Sequence, residues 1–128
     1  MITEKNIEKA KQLIKNSKDK TIKVLSQDHD FNRKIIEYGK FQEIVFPNPE
    51  VKTQRKLKYI EFGLDRVSAK AAAKNNIKIV YDFSRLINLK RKEKALELEK
   101  LLKMLELVKK HAVSFKFINA KNKQALTF

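Results

Sequence analysis

The sequence contains no cysteine, and it has little glycine, proline or histidine. Without cysteine the chain forms no disulfide bond, no thiolate metal site and no cysteine nucleophile. Its only two glycines, Gly39 and Gly63, lie too far apart for a glycine-rich phosphate loop. No apolar run approaches the roughly 20 residues that a transmembrane helix needs. These absences exclude disulfide scaffolds, thiol enzymes and P-loop proteins.

The N-terminal segment, MITEKNIEKAKQLIKNSKDK, alternates charged residues with single apolar ones. It lacks the continuous apolar stretch of a signal peptide, so we expect a soluble, cytoplasmic protein. A chain of 128 residues with 42% apolar residues suits one domain with one core. We expect a single domain over 1–128, with an N-terminal helix in 1–18, a core over 21–119 and a tail over 120–128.

Positive charge is what the sequence has in excess. The sequence contains 30 lysines and arginines and 15 aspartates and glutamates, which gives a formal net charge of +15. Such an excess opposes compaction by self-repulsion and favours a polyanionic partner. The alternative is a lysine-rich proteome whose lysines are merely solvated.

Short β-branched segments alternate with amphipathic ones, which predicts strands separated by helices. The first helix is predicted to begin at Thr3, the second at Asp28 or Asp30 and the third at Asp65, each as an N-cap. Gly39 is predicted to end the second helix. The four predicted strands are TIKVLS (21–26), EIVFP (43–47), IKIVYDF (77–83) and VSFKFIN (113–119).

Three further segments carry more detailed expectations. The helix after Asp65 has a small inner face, formed by Ala69, Ala72 and Ala73. Part of the basic segment 48–62 is predicted to form a short helix with Leu57 and Ile60 inward. A long helix over 92–110 is predicted to bury one apolar stripe, namely Ala95, Leu98, Leu101, Leu102, Leu105 and Val108.

The order αβαβαβαβ predicts an α/β fold with a parallel sheet. A complete (β/α) barrel has eight strands and about 250 residues, so this chain is expected to form a partial TIM-barrel-like fold. Four parallel strands alternating with helices would make a half-barrel. Its two edge strands need cover, which we expect from a partner protein, a homodimer, or the first helix and the tail.

A candidate catalytic cluster, Asp28-His29-Asp30, follows the first strand, where α/β folds place active sites. Metal-dependent hydrolysis needs several histidines and carboxylates from different strand ends. The other histidine, His111, precedes the fourth strand instead of following it. We interpret the cluster as a capping aspartate beside an exposed histidine, with no metal site and no catalytic residue.

Ser84 lies in the segment Asp82-Phe83-Ser84-Arg85, directly after the third strand. It has no Gly-x-Ser-x-Gly context and no histidine nearby in the sequence. We interpret it as a cap for the turn, with Arg85 directed toward an acidic partner.

Basic residues follow three of the four strands, and in a parallel sheet these loops share one edge. Lysines and arginines on one face neutralise phosphates, which gives strong, salt-sensitive binding to nucleic acid, and arginine adds bidentate contacts. Lysines of the outer helices, such as Lys9, Lys11, Lys70 and Lys110, are interpreted as a solvated surface. The loop residues are Lys52, Arg55, Lys56, Lys58, Arg85, Lys90, Arg91, Lys92, Lys121 and Lys123.

Two segments resemble a known family. FQEIVFP (41–47) and GLDRVSAKAAAKNNIKIVYDFSRLI (63–87) are similar to the ribonuclease P protein component 3 family. This family supplies the thirty-kilodalton subunit of the archaeal and eukaryotic enzymes. The resemblance extends over about 21–124 and includes VSFKFINA (113–120).

The resemblance implies a TIM-barrel-like fold without the metal ligands of related phosphoesterases. It implies that the RNA removes the 5′ leader from precursor tRNA, while this chain binds no cofactor and magnesium serves the holoenzyme. The chain would stabilise ribonuclease P RNA together with protein component 2 and meet precursor tRNA indirectly. The matching basic positions, expected to contact RNA, are Arg55 or Lys56, Arg66, Lys74 and Arg85. Taken together with the loop cations, the ten residues predicted to contact RNA are Lys52, Arg55, Lys56, Arg66, Lys74, Arg85, Lys90, Arg91, Lys121 and Lys123.

Two departures from the family pattern stand out. The chain is much shorter than its relatives, and Asn119 replaces a frequent serine. Two other functions stay open: a generic basic RNA-binding or ribosome-associated protein, and a degenerate metal phosphoesterase that uses Asp28, His29 and Asp30. The lysine-rich composition fits an archaeal source.

Overall fold

Four short parallel strands form the centre of the fold, and helices connect each strand to the next. The computed structural model describes residues 1–51, 55–56, 59–60, 63–87 and 89–119, with 55–56, 59–60 and 87 described through their backbone. No helix in these ranges is both long and apolar enough to cross a membrane. The elements are α1 (Ile7–Asn16), β1 (Lys23–Leu25), α2 (His29–Tyr38), β2 (Glu43–Phe46), β3 (Arg55–Lys56), β4 (Tyr59–Ile60), α3 (Arg66–Lys74), β5 (Lys78–Asp82), α4 (Phe83–Ile87), α5 (Arg91–Lys110) and β6 (Phe115–Ile118).

The main sheet has the strand order β1-β2-β5-β6, and every neighbouring pair is parallel. Its register aligns Ile44 with Ile79 and Ile79 with Phe115. All four residues of β2 and the three central residues of β5 are buried, as expected for inner strands of a parallel sheet. The predicted α/β fold, with four parallel strands alternating with helices in a half-barrel-like arrangement, is confirmed.

The N-terminal segment lies beside β1 before the first helix begins. Ile2 forms a parallel bridge with Val24, which keeps this segment extended past Thr3. The N-cap of α1 is Asn6, whose side-chain oxygen accepts a hydrogen bond from the Lys9 N–H at 3.1 Å. The prediction of Thr3 as the cap was therefore wrong, because pairing with β1 takes precedence over a local helix signal.

The other helix ends follow their local signals. Asp28, and not Asp30, caps α2 by accepting a hydrogen bond from the Phe31 N–H at 2.8 Å. Gly39 ends α2 with a φ of +73°, and a Cβ there would lie 2.6 Å from the side-chain nitrogen of Asn75. Glycine therefore satisfies both the left-handed backbone and the close approach.

Helix α3 packs between α2 and α5 through small residues. Ala69, Ala72 and Ser68 are fully buried, and Ala73 is half-buried. Small side chains let the helix lie close to the sheet and to its neighbours. The predicted inner face of this helix is confirmed for Ala69 and Ala72, with Ala73 at its border.

Helix α5 buries only part of the predicted stripe, of which Leu101 and Val108 are buried as predicted. Leu102 is 51% exposed and Ala95 is also exposed, while Leu98 and Leu105 are half-buried. A helix cannot bury adjacent leucines equally, and Leu101 occupies the inner position. The buried residues are Glu97, Leu101, Met104 and Val108, spaced four, three and four apart.

Two short strands lie in the described parts of the segment after β2, where a short helix was predicted. Strands β3 and β4 pair antiparallel, with Arg55 opposite Ile60 and Lys56 opposite Tyr59. Tyrosine and isoleucine favour strands, and the alternation of charged and apolar residues suits a hairpin better than a helix. The predicted helix was wrong; the expected burial of Leu57 and of the Ile60 side chain lies outside the described parts of the chain.

The orientation of α5 can be tested with two neighbouring leucines. Leu101→Ala removes a side chain that is 1% exposed and should lower the free energy of unfolding by about 2–4 kcal/mol. Leu102→Ala makes the same chemical change at an exposed position and should cost less than about 1 kcal/mol. Urea denaturation followed by circular dichroism measures both. Equal losses would contradict this orientation of the helix.

Candidate functional site

The carboxyl ends of β1, β2 and β5 surround a small cavity that is lined by both polar and apolar residues. Parallel strands end at a common edge of the sheet, where side chains of successive loops meet. The cavity has a volume of about 80 Å³, room for several water molecules. Polar residues in its wall are Ser26, Gln27, Asp28, His29, Asn48, Tyr81, Glu97 and Lys100.

The fully buried side chain of Asn32 joins two loops at this edge. Its amide oxygen accepts a hydrogen bond from the Gln27 N–H at 2.7 Å. Its amide nitrogen donates to the carbonyl oxygens of Gln27 at 3.1 Å and Gly63 at 2.9 Å. Gly63 has a φ of +83°, and a Cβ there would lie 2.8 Å from the Asn32 nitrogen. The loop after β1 is thereby fixed against the segment that leads into α3.

Asn48 makes the corresponding link from β2. Its amide nitrogen donates to the Ser26 carbonyl oxygen at 2.8 Å and to the Gln27 side-chain oxygen at 3.1 Å. The Gln27 side-chain nitrogen donates in turn to the Thr3 carbonyl oxygen at 3.2 Å. The buried side-chain amides of Gln27, Asn32 and Asn48 therefore fix the loops beside the cavity. They do so through hydrogen bonds to the backbone and through the bond between Asn48 and Gln27.

His29 contacts Asp65, with 2.8 Å between the histidine Nε2 and the carboxylate oxygen. Asp65 also caps α3 by accepting a hydrogen bond from the Ser68 N–H at 2.7 Å. Burial raises the pKa of Asp65, but the hydrogen bonds from Ser68 and His29 and the charge of His29 together hold it below its usual value. His29 is therefore half-buried and paired, where an exposed histidine was expected.

The predicted acidic cluster does not converge on one point. Asp28 is used as the cap of α2, and Asp30 pairs with Lys34 at 3.0 Å on the surface. Across the described ranges, no three histidine or carboxylate side chains are arranged to hold a metal ion. The geometry of these residues favours a structural role for all of them.

Helix α5 contributes a buried ion pair to the cavity wall. The ammonium of Lys100 lies 2.6 Å from the carboxylate of Glu97, and each side chain is about one-tenth exposed. The buried hydroxyl of Tyr81 has no hydrogen-bond partner in the described parts of the chain. Burial raises the pKa of Tyr81, and the negative charge of Glu97 raises it further. Sequence reasoning missed Glu97 because a glutamate in a leucine-rich helix usually faces solvent.

The carboxylate of Asp82 organises the end of β5. It accepts hydrogen bonds from the Ser84 hydroxyl at 2.6 Å, the Ser84 N–H at 3.0 Å and the Asn119 amide at 2.8 Å. Burial raises the pKa of Asp82, but these bonds and the charge of Arg85 hold it below its usual value. Asp82 therefore caps the turn and ties β5 to the end of β6, whereas Ser84 was expected to be the cap.

The ten residues predicted to contact RNA fall into three groups. Lys52, Lys121 and Lys123 lie outside the described ranges, and Arg55 and Lys56 form β3 with their side chains undescribed. The described members are Arg66, Lys74, Arg85, Lys90 and Arg91.

The structure brings four of the five described residues to the carboxyl edge of the sheet. Arg66 opens α3 next to the Asp65–His29 contact, Arg85 lies in α4 after β5, and Lys90 and Arg91 begin α5. Lys74 ends α3 and leads toward the start of β5, at the opposite edge.

The described cations of this edge differ in their partners. The Nε of Arg85 lies 3.8 Å from the Asp82 carboxylate. Lys90 and Arg91 are exposed, and no carboxylate of the described residues lies within ion-pair distance of them. Lys90 and Arg91 are thus free to meet an anionic partner, whereas Arg85 is partly neutralised by Asp82.

Comparison with known proteins gives one informative result. No family model matches the chain, and no curated protein matches it. Among solved structures, the fold is similar to a chain in a cryo-EM structure of archaeal ribonuclease P with mature tRNA, with a TM-score of 0.71 and 23% identity. The similarity covers 97% of this chain and 52% of that chain. This chain therefore spans about half the length of its structural neighbour and shares its fold over that half.

Removal of the Asn32 clamp should destabilise the protein strongly. Asn32→Ala leaves buried backbone groups of Gln27 and Gly63 without partners, which should cost about 2–3 kcal/mol. Asn16→Ala, at an exposed position at the end of α1, is the control and should change the free energy of unfolding by less than about 0.5 kcal/mol. Urea titration measures both. A loss below about 1 kcal/mol for Asn32→Ala would contradict the clamp.

The charge of Asp65 should make stability depend on acid pH. Because its pKa is lowered by folding, its ionised form stabilises the protein above the unfolded value of about 3.9, and this contribution disappears as pH falls through the folded value. Asp65→Asn should therefore be less stable than wild type at pH 6, with a difference that vanishes near pH 2. Thermal unfolding across pH measures this difference. For Asp30→Asn, which alters an exposed ion pair, the difference should be small throughout.

Proposed function

We propose that this chain is a protein subunit of ribonuclease P, of the component 3 family, which binds and stabilises the catalytic RNA for removal of the 5′ leader from precursor tRNA. The observation that carries the proposal is the similarity of fold to a chain of archaeal ribonuclease P over 97% of this chain. In this proposal the RNA performs the cleavage and magnesium serves the RNA. The chain acts in the cytoplasm as part of a ribonucleoprotein.

The charge of the chain supports an RNA partner. A net charge of +15 on 128 residues supplies the counterion release that drives protein binding to phosphates. At the carboxyl edge, Lys90 and Arg91 are exposed and unpaired within the described residues. Arg85 faces Asp82 through its Nε, and its two terminal nitrogens are the pair that a bidentate phosphate contact uses. We propose these three residues as RNA contacts.

The carboxylates of the edge support a non-catalytic role for the protein. Asp28, Asp65 and Asp82 each accept backbone hydrogen bonds that begin a helix or a turn. A carboxylate engaged in this way is a poor candidate for a general base, because protonation would cost it those bonds. Chemistry by the RNA, with the protein as a scaffold, agrees with this arrangement.

The edge strands support a protein partner. Ile2 bridges to β1 at one edge, whereas β6 pairs with β5 alone within the described parts of the chain. An unpaired edge offers backbone groups to a further strand. We propose that protein component 2 covers this edge, and a second copy of this chain is the competing occupant.

Reconstitution tests the proposed function. Ribonuclease P RNA, component 2 and magnesium are assayed for cleavage of precursor tRNA with and without this chain, which should raise the rate. The variant R85Q/K90Q/R91Q should lose at least about tenfold in stimulation, because three phosphate contacts at the edge are removed.

The control variant is K11Q/R33Q/K34Q, which removes the same charge from α1 and α2. Its three cations pair with carboxylates of their own helices, so full stimulation should remain. RNA binding without any change in cleavage would instead favour a generic RNA-binding protein. Metal-dependent hydrolysis by the chain alone, abolished in His29→Gln, would favour the degenerate phosphoesterase.

A further inference from the structure

The exposed side of α3 carries three cations and no carboxylate. Arg66, Lys70 and Lys74 are spaced four residues apart, so they lie along one face of the helix. All three are exposed, and none lies within ion-pair distance of a carboxylate in the described ranges. We call these three residues the α3 cationic face.

The neighbouring helix α2 shows the opposite arrangement. Its two exposed cations are neutralised within the helix, Arg33 by Glu37 at 3.3 Å and Lys34 by Asp30 at 3.0 Å. The surplus positive charge is therefore distributed unevenly over the helical surface. A uniformly solvated lysine coat does not account for the difference between α2 and α3.

The cationic surface continues from α3 onto the end of α5, which packs beside it. Burial lowers the pKa of His111, and the positive charges of Lys110, Lys70 and Arg66 lower it further. The two helices thus place three cations within electrostatic range of one imidazole. Its Nε2 is enclosed and has no hydrogen-bond partner among the described residues.

This arrangement is unfavourable for the isolated protein. Like charges four residues apart on a helix repel one another. Arg66 also lies in the first turn of α3, where the helix dipole disfavours a cation. The N-cap Asp65 is the acidic residue next to Arg66 in the sequence, and its carboxylate is engaged by His29 and by the Ser68 N–H. A bound polyanion would relieve both kinds of repulsion.

We propose that the α3 cationic face, together with Lys110 beside His111, is a further phosphate-binding surface for RNA, which begins at Arg66 on the carboxyl edge of the sheet and continues along α3 away from that edge. The proposal rests on the proposed function, since it takes RNA as the ligand. From Arg66 to Lys74 the face extends over about 12 Å, long enough for several consecutive phosphates of one strand. The surface adds Lys70 and Lys110, two lysines that the sequence pattern had indicated to be solvated, and it borders His111.

A bound phosphate strand couples this surface to protonation. The anion cancels the positive potential of Arg66, Lys70 and Lys110, so His111 binds a proton more readily in the complex than in the free protein. At a pH between the pKa of His111 in the free protein and its pKa in the complex, RNA binding is therefore accompanied by uptake of a proton. By linkage, the affinity for RNA increases as the pH falls through that range.

Salt dependence of RNA binding tests the surface. Binding of ribonuclease P RNA is measured by filter retention from low to high salt for wild type, K70Q/K110Q and the charge-matched control K11Q/K34Q. The slope of log K against log salt should become shallower by about 1.5 in K70Q/K110Q, as expected for the loss of two phosphate contacts. The control removes two ion-paired lysines and should keep the wild-type slope.

The pH dependence tests the coupling. As the pH falls from 8 to 5, the affinity of the wild type should increase more than that of His111→Gln, because the lowered pKa of His111 places its titration toward acid pH. His29→Gln, at the other histidine of the sequence, should keep the dependence that His111 confers. Equal pH dependence in wild type and His111→Gln would overturn the coupling.

The outcomes separate the two proposals. Equal slopes for K70Q/K110Q and K11Q/K34Q, with wild-type binding intact, overturn the further surface and leave the proposed function standing. Absence of RNA binding by the wild type overturns both. Circular dichroism verifies the fold of each variant, and if K70Q/K110Q unfolds, K70Q/K74Q carries the same test.

Discussion

The buried amide of Asn32 is the interaction on which the carboxyl edge of the sheet depends. One side chain accepts from the backbone of Gln27 and donates to the carbonyl oxygens of Gln27 and Gly63. It thereby fixes the start of α2 relative to the start of α3, although 31 residues separate Asn32 from Gly63. Because the cavity, the His29–Asp65 contact and Arg66 all lie along these two segments, their relative positions follow from this amide.

The acidic residues of the edge complete the same framework. Each of three aspartates, Asp28, Asp65 and Asp82, fixes a turn. Its carboxylate accepts a hydrogen bond from a backbone N–H two or three residues further along the chain. The carboxylates at this edge are therefore engaged by hydrogen bonds to the nearby backbone. The cations that follow the strands, such as Lys90 and Arg91, are left to determine which partner the edge attracts.

Features that depend on neighbouring residues were predictable from the sequence, and features that depend on tertiary contacts were not. The four strands of the main sheet, the cap Asp65 and the end of α2 at Gly39 follow local chemistry and were predicted, and Asp28 was one of two caps considered for α2. Thr3 was misassigned because the bridge between Ile2 and Val24 joins segments about twenty residues apart. Leu102 was misassigned because adjacent leucines give the same local signal. Asn32 was missed because its partners are backbone groups, which no sequence pattern displays.

The net charge can likewise be read from the sequence, whereas the pairing of individual charges depends on the structure. A net charge of +15 follows from counting residues, but its effect depends on which cations find carboxylates within reach. Helix α2 neutralises its cations through pairs four residues apart, whereas α3 spaces cations at the same interval and includes no acid. Equal spacing thus stabilises one helix and destabilises the other when each is considered alone. The unpaired face of α3, and not the total charge, is therefore the basis for proposing that a polyanion binds there.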